Sequence, residues 1–227
     1  AELGLPADLD DDAHRRLASL VAVDVADADG ASARAATAVE RALRPYATDG
    51  PFETVGGYAD ILDALAREAP GTGVALALDA DPSDDLRTAA LDAWRSHGLA
   101  AHRALDAATT GRYDGCVVAR VDIAGGDRPD EGDADDGDAA RDAAAVLPTV
   151  ARLVRDFRSP EPVAIAVDES AGRLAAAAVE PLGLGDACRS VATATGWGTA
   201  ERGGIAVSTN ETDGDITGAL AALREAL

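Results

Sequence analysis

The sequence contains no lysine and no methionine, and only 3% of its 227 residues are aromatic. Every one of the 20 basic residues is therefore arginine, set against 41 acidic residues for a formal net charge of -21. Missing lysine, abundant aspartate and an alanine-rich background describe a surface suited to molar salt, where densely hydrated carboxylates stay soluble and lysine's long apolar stem is disfavoured. At about 1 M salt the screening length shrinks to roughly 3 Å. The global negative field therefore does not exclude a polyanionic partner, and contacts with one must be short-range.

The two cysteines, Cys116 and Cys188, fall in a predicted strand and a predicted helix. Neither metal-ligand spacing nor a secretory signal accompanies them, which argues against a disulfide framework and for buried free thiols. His14, His97 and His102 offer no pair on one helix face, so a histidine metal site is not expected. Asp27-Ala28-Asp29-Gly30 resembles the middle of a calcium loop, but the loop's first and twelfth positions fall on Val25 and Ala36, which cannot ligate. No apolar run is long enough to span a bilayer and no charged-then-apolar signal opens the chain, so the expected location is the cytoplasm, with no membrane partner. Without an initiator methionine, and beginning at a helix start, the sequence reads as a piece of a longer protein. No nucleophile has a base beside it and no aspartate pair is framed by apolar residues, so no catalytic residue is assigned.

A chain of this length can bury roughly 70% of its unfolded surface, enough for one good core or two modest ones. The clearest pattern lies between Val146 and Glu180. Val146, Leu147, Val150, Leu153, Val154 and Phe157 recur at three- and four-residue steps with arginines between them, which predicts a one-sided helix. Pro160 and Pro162 stop it. Val163–Val167 then reads as a buried strand, and Arg173–Glu180 as its hairpin partner.

Ahead of this stretch the pattern is helical: Ala13–Val25 with Leu17, Leu20, Val21 and Val25 as a stripe, Ala31–Leu43, Phe52–Glu68, and Ser83–Thr110 with Leu86, Ala90, Trp94, Ala101 and Leu105 along one side. The last of these is the longest periodic element and is expected to bridge the two halves. Val74–Leu78 fits a strand or a buried helix equally. Tyr113–Asp122 is expected to be the first strand of the second half, followed by an acidic loop over 125–142. After the central hairpin, Leu184–Thr195 reads as a helix capped by Gly196 in the left-handed conformation, then a strand over Ile205–Thr209 and a final helix to Leu227. The expected fold is α/β: a mainly helical segment over 1–110, then a small mixed-sheet domain over 111–227 with helices packed on it.

The best candidate for function is the glycine-rich run from Gly196 to Gly204. Gly196, Gly198, Gly203 and Gly204 would let a ligand approach backbone amides, Trp197 offers a stacking platform for a base, and Arg202 a planar fork for an anion. The run leaves a helix and enters a strand, the reverse of the Rossmann and P-loop order. Its bland alternative is a helix cap followed by a hairpin bend.

The segment Phe52–Arg67, then Gly71-Thr72-Gly73 and the long helix, resembles the region after the catalytic core of archaeal RecJ-like proteins of the DHH phosphoesterase family. Residues 150–227 resemble that family's DHH-associated C-terminal domain in the order of their elements. The resemblance implies the nucleic-acid-handling part of a single-strand exonuclease acting in repair, dependent on manganese or magnesium in an intact member. The family's aspartate motifs are absent from these residues, so no cofactor is expected in this chain. Laid on the family's substrate loop, the sequence gives Gly196-Trp197-Gly198 and Glu201-Arg202-Gly203, with Gly198 where the family has histidine. The expected partner is single-stranded DNA or RNA. Two alternatives follow from the same resemblance: a non-catalytic scaffold for replication or repair proteins, and the nucleotide-binding part of a small-molecule phosphoesterase.

Overall fold

The computed structural model describes residues 10–28, 39, 46–79, 81–123, 136–191, 195–207 and 216–227. The expected helix over Ala31–Leu43 lies outside them apart from one residue. The architecture is α/β, with a helical part followed by a mixed six-stranded sheet.

The first helix, α1 (Asp11–Asp27), is capped by the Asp10 carboxylate, which accepts from the Ala13 amide at 2.7 Å. Its expected apolar stripe is not buried by the described residues, since Leu20 is 68% exposed and Val21 is also exposed. Helix α2 (Val55–Glu68) tolerates Gly56-Gly57 in its first turn because the Thr54 hydroxyl accepts from the Gly57 amide. Val74–Leu78 is helical: it completes α3 (Pro70–Leu78), begun by a proline whose missing amide costs nothing in the first turn. Helix α4 (Asp84–Ala107) has the Ser83 cap expected of it, with Asp84 and Asp85 placed favourably at the positive end of its dipole. Ala90, Ala101 and Leu105 are buried on its inner side, whereas Trp94, expected there, is 40% exposed.

The single strand expected over Tyr113–Asp122 is a hairpin instead, formed by β1 (Thr109–Tyr113) and β2 (Cys116–Arg120). Asp114-Gly115 makes the turn, and Gly115 has φ of 77°, the geometry that suits an Asp-Gly hairpin. Helix α5 (Asp136–Leu153) begins ten residues before the expected Val146 and takes in 136–142 of the expected acidic loop; 124–135 lie outside the described residues. A π-helical turn, Val154–Arg158, extends α5. From this turn Arg155 donates to the Ala178 carbonyl at 2.8 Å, and Arg158 to the Leu105 carbonyl at 3.2 Å and to Asp106 at 3.0 Å. The turn thereby ties helix α5 to the sheet and to the end of α4.

Strand β3 (Val163–Asp168) runs parallel to β2, and β4 (Arg173–Ala178) runs antiparallel to β3. Helix α6 (Leu184–Ser190) is shorter than expected. Gly196 does not cap it but lies within β5 (Thr195–Gly198), which pairs antiparallel with β6 (Arg202–Ala206). Helix α7 (Ile216–Glu225) ends the fold. The strand order is β1-β2-β3-β4-β6-β5.

The two faces of this sheet are built from different side chains. Val117, Ala119, Ala164, Ala166, Ala175 and Ala177 point to the face covered by α5, with α4 behind it. Val118, Ile165, Leu174 and Ile205 point to the other face, where Leu184 and Cys188 of α6 and Leu220 and Leu223 of α7 meet them. Asp168, fully buried at the end of β3, accepts from the amides of Ile123 (2.8 Å) and Ala171 (3.0 Å) and from the Ser170 hydroxyl (2.7 Å). These bonds explain a buried carboxylate as the anchor of the β3–β4 turn.

Candidate functional site

The glycine-rich run folds as the β5–β6 hairpin, closed by the Thr199 amide donating to the Arg202 carbonyl at 2.7 Å. Helix α6 is laid directly on it: the Gly185 amide donates to the Thr199 carbonyl at 2.7 Å, and Arg189 to the Gly198 carbonyl at 3.1 Å. This close approach uses up most of the glycines. A methyl group at Gly196 would collide with the Cys188 backbone, and one at Gly203 would stand 2.5 Å from Cys188 Sγ. Gly198, with φ of 142°, has a backbone that other residues rarely adopt. The space that these side chains leave is filled by the protein's own backbone.

Strand alternation sends Trp197 and Arg202 to the opposite face, the one carrying α5. Arg202 stands opposite Ala177 of β4, and Trp197 opposite Gly204 of β6. The indole lies across Gly204, where an added methyl group would be 2.6 Å from the ring, and Trp197 remains 43% exposed. Helix α5 covers β3 and β4 but not the β5–β6 hairpin. Between them the small side chains of β4 and β6 leave a hollow of about 300 Å³.

One wall of the hollow is α5, through Ala144, Pro148 and Arg152; the other is the hairpin, through Trp197, Thr199 and Arg202. Arg67 enters from the end of α2. Three guanidinium groups thus surround one concavity in a chain with a net charge of -21. Arg67 is ion-paired with Asp63 at 2.7 Å. Arg152 and Arg202 make no ion pair or side-chain hydrogen bond with the described residues, although aspartate is abundant. Their donors are available to an anion.

Behind the hollow, His97 of α4 joins the other two helices. Its Nδ1 lies 2.7 Å from Glu68 Oε1 at the end of α2, and its Nε2 lies 2.8 Å from Thr149 Oγ1 of α5. Both His97 and Thr149 are buried. Glu68 follows Arg67 and Thr149 precedes Arg152 by one turn, so this relay fixes the backbone that presents two of the three arginines. The signal for it lay in register: His97 is four residues from Ala101 and seven from Ala90, on the buried stripe of α4. No group of three or more His, Cys, Asp or Glu side chains converges on a point among the described residues.

Both cysteines are buried free thiols, as their settings in the sequence predict. Burial pushes Cys188 up to about 11, with the Arg189 guanidinium opposing the shift. Burial also raises Cys116, against the opposing charge and hydrogen bond of Arg224. Neither is in the wall of the hollow.

Residues 108–225 match the family described as the C-terminal domain of the uncharacterized protein rrnAC1427. The chain belongs to that family. The matching protein from Haloarcula marismortui, itself described as uncharacterized protein rrnAC1427, is 48% identical over 162 residues, which cover 71% of this chain and 36% of the relative. The chain thus spans about a third of that relative's length. These matches overturn the resemblance to RecJ-like proteins of the DHH family, which neither comparison shows. The resemblance rested on the order of helices and strands and on spaced glycines. Alternating elements recur in many α/β folds, and here Gly196 and Gly203 are explained by the packing of α6 on the hairpin. Within the rrnAC1427 C-terminal family match fall the sheet, Arg152, Trp197 and Arg202; Arg67 and His97 precede it.

Proposed function

We propose that this chain is a binding module for single-stranded nucleic acid, taking a nucleotide of the strand in the hollow between α5 and the β5–β6 hairpin. The observation that carries the reading is the pairing of an exposed indole, Trp197, with two arginines that have no partner among the described residues, Arg152 and Arg202, in one concavity. A base has a π-face for the indole and a phosphate has oxygens for the guanidinium forks. The volume of about 300 Å³ is at the small end of the roughly 300–1,000 Å³ typical of ligand sites, which suits one nucleotide at a time. In molar salt counterion release contributes less, so stacking and direct charge-assisted bonds must supply the affinity.

The test is equilibrium binding of a short fluorescent oligouridylate in molar potassium chloride. Trp197→Ala should weaken binding by about 1–3 kcal/mol, the range for loss of a stacking partner. Arg202→Ala should cost a similar or smaller amount, because its exposed guanidinium is partly screened. Trp197 also shields Gly204, which favours a purely structural role as the rival reading. Unchanged affinity together with a lowered melting temperature in Trp197→Ala would establish that rival.

A further inference from the structure

Pro148 sits inside helix α5, in the wall of the hollow. A proline has no amide hydrogen, so it cannot return the helical bond to the carbonyl four residues earlier, and its ring pushes that carbonyl away from the helix axis. The carbonyl is that of Ala144, which lines the same wall. No side-chain donor among the described residues takes the place of the missing amide. The hollow therefore combines the guanidinium donors of Arg152 and Arg202 with a wall residue, Ala144, whose carbonyl has no amide four residues on to bond.

A ligand matched to this set carries an anionic group and, beside it, a hydrogen-bond donor. With the hairpin wall taken by a base on Trp197, the α5 wall is the surface left for its sugar and phosphate. We propose that the Ala144 carbonyl accepts a hydrogen bond from the ribose 2′-hydroxyl, so that the hollow prefers ribonucleotides to their deoxy counterparts. The inference rests on the nucleic-acid reading above and adds a sugar specificity to it. Proline at position 148, costly within a helix, then serves to leave an acceptor open.

The experiment uses the full chain with Trp94→Phe, so that emission reports Trp197, the other of the two tryptophans. Adenosine, 2′-deoxyadenosine, 2′,3′-dideoxyadenosine and inosine 5′-monophosphates are titrated in molar potassium chloride. Removing the hydroxyl that is read should weaken binding by about three- to tenfold, the worth of one hydrogen bond. The loss should appear already with the 2′-deoxy ligand; a loss that appears only with the dideoxy ligand would overturn the inference, and inosine, which lacks the exocyclic amine, should bind like adenosine. Pro148→Ala restores the amide and a good helix former, so the variant should fold and bind while the preference for ribose falls to about one. Equal binding of all the sugars to the unmodified hollow would overturn the inference and leave the nucleic-acid reading standing. An inosine affinity reduced as far as that of the deoxy ligand, with no sugar effect, would assign the carbonyl to the base and overturn it too. An undiminished ribose preference in Pro148→Ala would show that another group reads the hydroxyl. Failure of both these nucleotides and an oligouridylate to perturb Trp197 would overturn the nucleic-acid reading itself.

Discussion

The two faces of the sheet use the same strands for opposite ends. On the face toward α6 and α7, Val118, Ile165, Leu174 and Ile205 meet Leu184, Leu220 and Leu223, and the glycines of the hairpin let α6 sit against backbone. On the face toward α5 the same strands offer Ala164, Ala166, Ala175, Ala177 and Gly204. Small residues under a helix allow close packing, but the same residues beyond the helix leave a concavity. The hollow is thus a consequence of α5 covering β3 and β4 while leaving the hairpin bare, and Arg152, Trp197 and Arg202 border it.

Substitutions on the two faces should differ accordingly. Leu174→Ala removes a fully buried side chain from the aliphatic face and should cost about 2–5 kcal/mol in denaturant unfolding. Ala175→Gly, its neighbour on the other face, should cost about 1 kcal/mol or less; equal losses would erase the distinction between the faces. Next in size, Gly196→Ala forces a methyl group into the Cys188 backbone of α6, and overpacking of this kind should cost about 1–3 kcal/mol. Gly204→Ala meets the Trp197 ring first, which has the hollow to move into, so its thermal unfolding should change less while its ligand affinity falls.

A pH-dependent effect concerns Cys188, held beneath Gly203 on the aliphatic face. Its folded pKa, about 11, lies above the ordinary 9.0, so the folded state keeps the proton longer than the unfolded chain. Its stabilising contribution is complete below pH 9.0 and is lost as pH rises toward about 11. The stability difference between the native protein and Cys188→Ala should therefore narrow across that window, as followed by denaturant titration at successive pH values. A constant difference would show that the thiol is not desolvated there.

Much of the fold was legible where periodicity and punctuation agree. Ser83 marked the start of α4, and the apolar run Val163–Val167 followed by a turn marked the β3–β4 hairpin. Failures occurred where tertiary contacts overrule local pattern. Within Tyr113–Asp122 the Asp114-Gly115 turn signal outweighs the β-rich pattern that follows it, and α5 begins within a sequence whose acidic, glycine-containing composition suggests a loop. The short α6 gave way to an edge strand because β6 supplied a pairing partner for Thr195–Gly198. Of the site, Trp197 and Arg202 were legible as an aromatic and a cation among glycines. Arg67, Arg152 and the Ala144 carbonyl were not, since α5 comes to stand beside the hairpin by packing on β3 and β4, and α2 by packing on α4 and through the His97 relay.

The most direct test of the central claim is a crystal structure of the protein with a short oligouridylate bound in molar salt. The account predicts a base stacked on the Trp197 indole, with its phosphate between Arg152 and Arg202. An oligonucleotide bound elsewhere on the surface, with the hollow left empty, would contradict it.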